Sequence, residues 1–88
     1  MEPGEAIVLL ELTRLLRQVA ENQHIDITTD TLLDDIPGLD SLLLLQVVAR
    51  LEEHFHVEVD VVALDGLRFV GDVVNAISGA HPEQPSTA

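Results

Sequence analysis

Ser41 stands directly behind an acidic residue and at the head of a run of leucines, in Gly38-Leu39-Asp40-Ser41-Leu42. Asp is a favoured helix N-cap, because its carboxylate accepts backbone N–H bonds of the first turn. The sequence therefore predicts a helix that begins at Asp40 and places the Ser41 hydroxyl in its first turn. A phosphodiester attached there would be stabilised by unpaired backbone N–H groups and by the positive end of the helix dipole. The loop-to-helix junction also leaves the hydroxyl open to a modifying enzyme. A serine beside a helix start is in most proteins only a cap, so the surrounding residues have to decide its role.

Other reactive residue types form weaker patterns. The Gly-x-Ser-x-Gly elbow of serine hydrolases is not made, since Leu39 and Leu43 stand where glycines belong. There is no cysteine, hence no disulfide, thiolate nucleophile or thiolate metal site. His54 and His56 are not an i,i+4 pair, and the histidines read as solvated surface groups. The acids from Asp26 to Asp35 lack the glycine and terminal glutamate of a calcium loop. No metal site is expected.

Sixteen Asp and Glu against four Arg and no Lys give a formal charge of −12. Nucleic acid and anionic membrane surfaces would be repelled, whereas partners with basic docking surfaces would be steered in. Glu2 and Glu5 stand where a leader sequence would be basic, Glu11 and Arg14 interrupt the first apolar stretch, and no run approaches a membrane span. A cytoplasmic monomer is expected, and Met1 with the tapering tail favours a free-standing chain. Eighty-eight residues make one domain, with little apolar surface to spare for a deep catalytic cleft. The core must be aliphatic, because only 2% of residues are aromatic.

Helical periodicity organises the elements around Ser41. Val8, Leu12, Leu15, Leu16 and Val19 mark one face of a first helix from Glu5 to Glu21. A long connection to Leu39 follows, with the acidic pair Asp34–Asp35 and a Pro37–Gly38 turn. Its Ile25, Ile27, Leu32, Leu33 and Ile36 are expected to pack on the helices. The second helix runs from Asp40 to about His54, with Leu44, Val47, Val48, Leu51 and Phe55 facing inward. Leu42, Leu43, Leu45 and Ala49 are apolar too and lie largely off that stripe. Together with Gln46 and Arg50 they are candidates for a partner-docking patch. The alternation at His24–Thr28 and His56–Val62 is assigned to extended loop. Asp60 would cap a short third helix ending at Gly66. The last helix presents Val70, Val73, Val74 and Ile77 and stops at Gly79, with no evident cap at its start. Residues 1–80 are assigned to a single domain and 81–88 to a disordered tail.

The chain resembles the acyl carrier and peptidyl carrier protein family. The matching residues are Asp40-Ser41-Leu42, Leu51-Glu52-Glu53-His54-Phe55, Val57-Glu58-Val59, and Val70-Gly71-Asp72-Val73-Val74 leading to Ile77. They align without gaps from Ser41 onward, and the likeness covers about residues 5–79. It implies an all-α four-helix bundle with a short third helix and a long loop between helices 1 and 2. It further implies that Ser41, flanked by Asp40, receives 4′-phosphopantetheine from coenzyme A through a phosphopantetheinyl transferase. The chain would then be a non-catalytic carrier of thioesters, serving acyltransferase, adenylation or ligase, and ketosynthase-type enzymes. Leu43 and Gln46 occupy positions that are usually acidic in fatty-acid carriers, and Asp40 stands where peptidyl carriers usually have His. That mixture points to polyketide or hybrid polyketide–peptide biosynthesis. Asp34, Asp35, Leu42, Leu43, Leu45, Gln46, Ala49 and Arg50 would dock partners. The alternative is a small acidic helical adaptor that binds through the second helix, with Ser41 only a cap.

Overall fold

A computed structural model describes residues 3–82. Helix α1 spans Glu5–Ala20, and the spacing of its apolar residues buries Val8, Leu12, Leu15 and Leu16 completely or nearly so, with Val19 half-buried. It ends where Glu21 turns left-handed (φ 53°), with the Glu21 N–H donating to the Gln18 carbonyl at 3.2 Å. Helix α2, Ser41–Phe55, buries Val47, Val48 and Leu51, while Leu44 and Phe55 are half-buried at the edges of the same stripe. His56 at φ 56° terminates it. Helix α3, Val70–Ser78, buries Val70, Val73, Val74 and Ile77 and stops at Gly79, whose N–H donates to the Asn75 carbonyl at 2.9 Å. α1 packs on both other helices, and α2 meets α3. Leu33, Ile36, Val57 and Ala80 complete one aliphatic core.

The protein is thus mainly helical, as expected. Val61–Gly66, where a short third helix was expected, is a 3₁₀ segment, with Asp60 Oδ1 accepting the Val62 N–H at 3.1 Å. Two expectations need correction. The stretch His56–Val62 is not all loop: β1, Val57–Glu58, pairs antiparallel with β2, His81–Pro82, so the first two residues assigned to the tail are paired. Residues 83–88 lie outside the described residues. A ladder of two residues whose strands are more than twenty positions apart leaves no local pattern to read. Leu32, expected to pack inward, is 41% exposed. Neighbouring side chains on extended backbone point to opposite sides, so with Leu33 buried Leu32 must face out.

The connection between α1 and α2 is tied to the start of α3. The Leu33 N–H donates to Arg68 O at 2.9 Å, the Val70 N–H to Thr31 O at 2.8 Å and the Gly71 N–H to Thr29 O at 2.9 Å, with a β-bridge between Leu32 and Phe69. A Cβ on residue 71 would lie 2.9 Å from Thr29 O, closer than real Cβ atoms come, so this approach requires glycine. Gly38 (φ +80°) likewise passes against the end of α1, where a Cβ would lie 3.1 Å from Val19 O.

α3 has a cap that the sequence reading lacked. The Asp72 carboxylate reaches back to accept the Phe69 N–H at 2.9 Å and the Arg68 N–H at 3.0 Å. These two bonds, Phe69 first, hold its carboxyl below the ordinary Asp range. Because the folded value lies below the unfolded one, the stabilisation is present above the unfolded pKa and is lost as pH falls through the folded value. Asp72→Ala is expected to cost about 0.5–2 kcal/mol at neutral pH, the range of a lost cap. Denaturant melts should show the gap between wild type and variant narrowing as pH drops below about 4; a constant gap would contradict this role.

Candidate functional site

Asp40 is extended (φ −116°, ψ −178°), and its Oδ1 accepts the Leu43 N–H at 2.8 Å while its carbonyl accepts the Leu44 N–H at 2.8 Å. Both halves of a helix N-cap are therefore in place. Ser41, the first helical residue, is exposed. Among the described residues, its hydroxyl makes no hydrogen bond, and the N–H groups of Ser41 and Leu42 have no protein partner. A phosphate ester on this hydroxyl would meet two free donors and the positive end of a fifteen-residue helix. The local chemistry fits a phosphodiester.

Asp34 and Asp35 are exposed on a 3₁₀ turn, Leu33–Asp35, held at the surface because Leu33 and Ile36 on either side are buried. Asp35 is six positions and Asp34 seven before Ser41, so the chain keeps their backbones within about 25 Å of that of Ser41. The docking candidates divide. Leu42 is 65% and Leu45 49% exposed, and Gln46, Ala49 and Arg50 are exposed as well. At 100° per residue these five share the outer arc of α2. Leu43 is half-buried and turns toward the groove between α1 and α2, with Leu15, Val19 and Val47. The sequence reading did not single out the exposed apolar residues Ile7, Leu10, Val62 and Phe69. Ile7 and Leu10 have a helical spacing that could have marked them; Val62 and Phe69 leave no comparable signal.

Ionic structure lies away from Ser41. Arg14 Nη2 stands 2.6 Å from Glu11 Oε2, and His54 Nδ1 lies 3.8 Å from the same oxygen. The hydrogen bond from Arg14 holds the Glu11 carboxyl below the usual Glu range. No group of three or more potential metal ligands occurs among the described residues. No helix among them is long and apolar enough to cross a membrane.

The family model described as phosphopantetheine attachment site matches residues 10–77. The chain belongs to that family. No curated protein and no solved structure matches it. Membership makes this a phosphopantetheine-carrying protein whose cofactor, 4′-phosphopantetheine, is covalently attached. Carrier domains of the phosphopantetheine attachment site family work with a phosphopantetheinyl transferase and with biosynthetic enzymes, and are generally non-catalytic.

The two faces of α2 separate in a stability measurement. Leu51→Ala, at a position with no exposure, should cost about 2–5 kcal/mol. Leu42→Glu, on the outer arc, should stay within about 0.5 kcal/mol of wild type. Equal destabilisation by the two changes would show that the outer arc is core.

Proposed function

We propose that Ser41 is the phosphopantetheine attachment site and that the chain carries acyl or aminoacyl groups in polyketide or hybrid polyketide–peptide biosynthesis. The observation that carries this reading is that Ser41 is the only serine within residues 10–77, the span of the family match. Its exposure and unbonded hydroxyl at the head of α2 support it. The arm, once attached, supplies the thiol that holds the cargo as a thioester. The chain's own residues do the rest. The Asp40 cap fixes the first turn, the free N–H groups of Ser41 and Leu42 offset the phosphate charge, and the buried stripe of α2 holds that turn on the core.

The carrier is proposed to act as a cytoplasmic monomer with its domain in residues 1–80. The 3₁₀ segment takes the place of the third helix of a four-helix bundle. Partners would be the transferase and acyltransferase, adenylation or ligase, and ketosynthase-type enzymes. They would meet Leu42, Leu45, Gln46, Ala49 and Arg50, with Leu43 at the edge and Asp34 and Asp35 beside the arm. Leu43 and Gln46, where fatty-acid carriers are usually acidic, favour the specialised pathways. The carrier contributes effective concentration, since a tethered intermediate meets its enzyme far more often than a free one.

Incubation with a phosphopantetheinyl transferase and coenzyme A should add one phosphopantetheine to the wild-type mass. Ser41→Ala should fold and gain nothing; a variant that is still modified places the arm elsewhere. Wild-type chain that is never modified would leave the adaptor alternative, with α2 as its binding face. Because Asp34, Asp35 and Asp40 would draw in a basic enzyme surface, the modification rate should fall as salt rises from about 0.05 to 0.5 M. A rate indifferent to salt would count against that role.

A further inference from the structure

The chain has four arginines. Arg14 pairs with Glu11, and Arg17 Nε donates to the Ile25 carbonyl at 3.2 Å. Among the described residues, neither Arg68 nor Arg50 has a carboxylate within 4.0 Å or a side-chain hydrogen bond, although the Asp72 carboxylate feels the charge of Arg68. Of these two, Arg50 is the one exposed on α2, the helix that Ser41 heads, and it is left there without a partner. The local sequence explains why. Glu11 precedes Arg14, the favourable order for a pair on a helix, whereas Glu53 follows Arg50 in the unfavourable order. The position four residues before Arg50, where an acid would pair best, holds Gln46. From Ser41 to Leu51 α2 carries no acid at all, in a chain with sixteen.

The outer side of α2 therefore changes sign of charge between Asp40 and Arg50, before the exposed Glu53 follows on the same arc. Asp40 caps one end, with Asp34 and Asp35 on the segment leading into it. Leu42, Leu45 and Ala49 form the apolar middle. Arg50 stands on the α1 side of the arc, nine residues and about 13 Å along the axis from Ser41. An enzyme that reaches the Ser41 hydroxyl must cover the first turn of α2. An interface of ordinary size, about 800 Å² per partner, extends from there past Arg50. Charges of opposite sign at the two ends of an apolar strip admit one orientation of the partner and penalise the reverse.

Building on the assignment of Ser41, we propose that Arg50 is a recognition cation. The transferase that modifies this chain seats the outer arc of α2 in an apolar depression, receives the acids near Ser41 on basic residues, and presents a carboxylate to Arg50. The pair sets how the enzyme lies along the helix; it takes no part in the chemistry at the hydroxyl.

The test compares R50E, R50Q and R50K with wild type in steady-state modification by a phosphopantetheinyl transferase and coenzyme A. Each variant's thermal melt confirms folding, as expected at an exposed position. R50E should raise KM for the carrier about threefold to tenfold with kcat little changed, R50Q should have a smaller effect, and R50K should restore most of the affinity. General attraction between an acidic carrier and a basic enzyme demands the opposite sign, because R50E makes the chain more acidic and would lower KM. A lowered or unchanged KM for R50E overturns the proposal while full mass gain leaves Ser41 standing as the attachment site. A wild-type chain that gains no mass removes both.

Discussion

Thr29, Thr31 and Leu33 share backbone hydrogen bonds with Gly71, Val70 and Arg68, closing residues 21–40 onto the first turn of α3. Without that tie the segment would be a long loop whose ordering costs roughly 1–2 kcal/mol per residue with little to offset it. With it, Leu33 and Ile36 are carried into the core, and Asp34 and Asp35 are left outside. Gly38 then brings the chain past the end of α1, and Asp40 arrives in the extended conformation that an N-cap requires. The close approach of Gly71 to Thr29 is the geometric condition for all of this. Asp72 reinforces it from the same turn by capping the amides of Arg68 and Phe69.

α2 meets two demands with one composition. Its inner face supplies Val47, Val48 and Leu51 to the core, while Leu42 and Leu45 remain in solvent. A small domain rarely leaves large apolar side chains grouped on one helix face unless something is to cover them. Strong net charge compensates by keeping such molecules apart from one another in solution. The placement of acids before Ser41 and of an unpaired arginine, Arg50, beyond the leucines gives that face a direction as well as a greasy surface.

What could be read from the sequence was what repeats or punctuates locally. Helical periodicity located the three α-helices and nearly all of the buried residues, and Asp40, Asp60 and Gly79 were legible as start and stop signals. The family was legible because the neighbours of Ser41 matched at a distance as well as in place. Contacts between remote segments were not. The pairing of Val57–Glu58 with His81–Pro82 and the bridge from Leu32 to Phe69 join stretches that carry no mark of one another. The ends of α1 and α2 fell within one residue of the expected Glu21 and His54, but the left-handed caps at Glu21 and His56, where glycine is the usual signal, carried no mark of their own. The cap of α3 was missed because its acid, Asp72, lies inside the helix and reaches backward. Leu43 illustrates the limit of period alone, since whether it docks or packs depends on how closely α1 approaches.

The tie between the loop and α3 also decides where motion can come from. The amides of Leu33, Val70 and Gly71 are donors in the same strap, so their hydrogen exchange should proceed through one shared opening, not through independent fraying. The segment entering Ser41 is therefore a fixed mount, and with the arm on Ser41 as proposed, a tethered cargo would explore space only through the rotatable bonds of that arm. The volume swept would be a sphere centred on the head of α2, with part of it blocked by the body of the protein. A partner enzyme would have to come to that mount; the mount would not swing out to meet it.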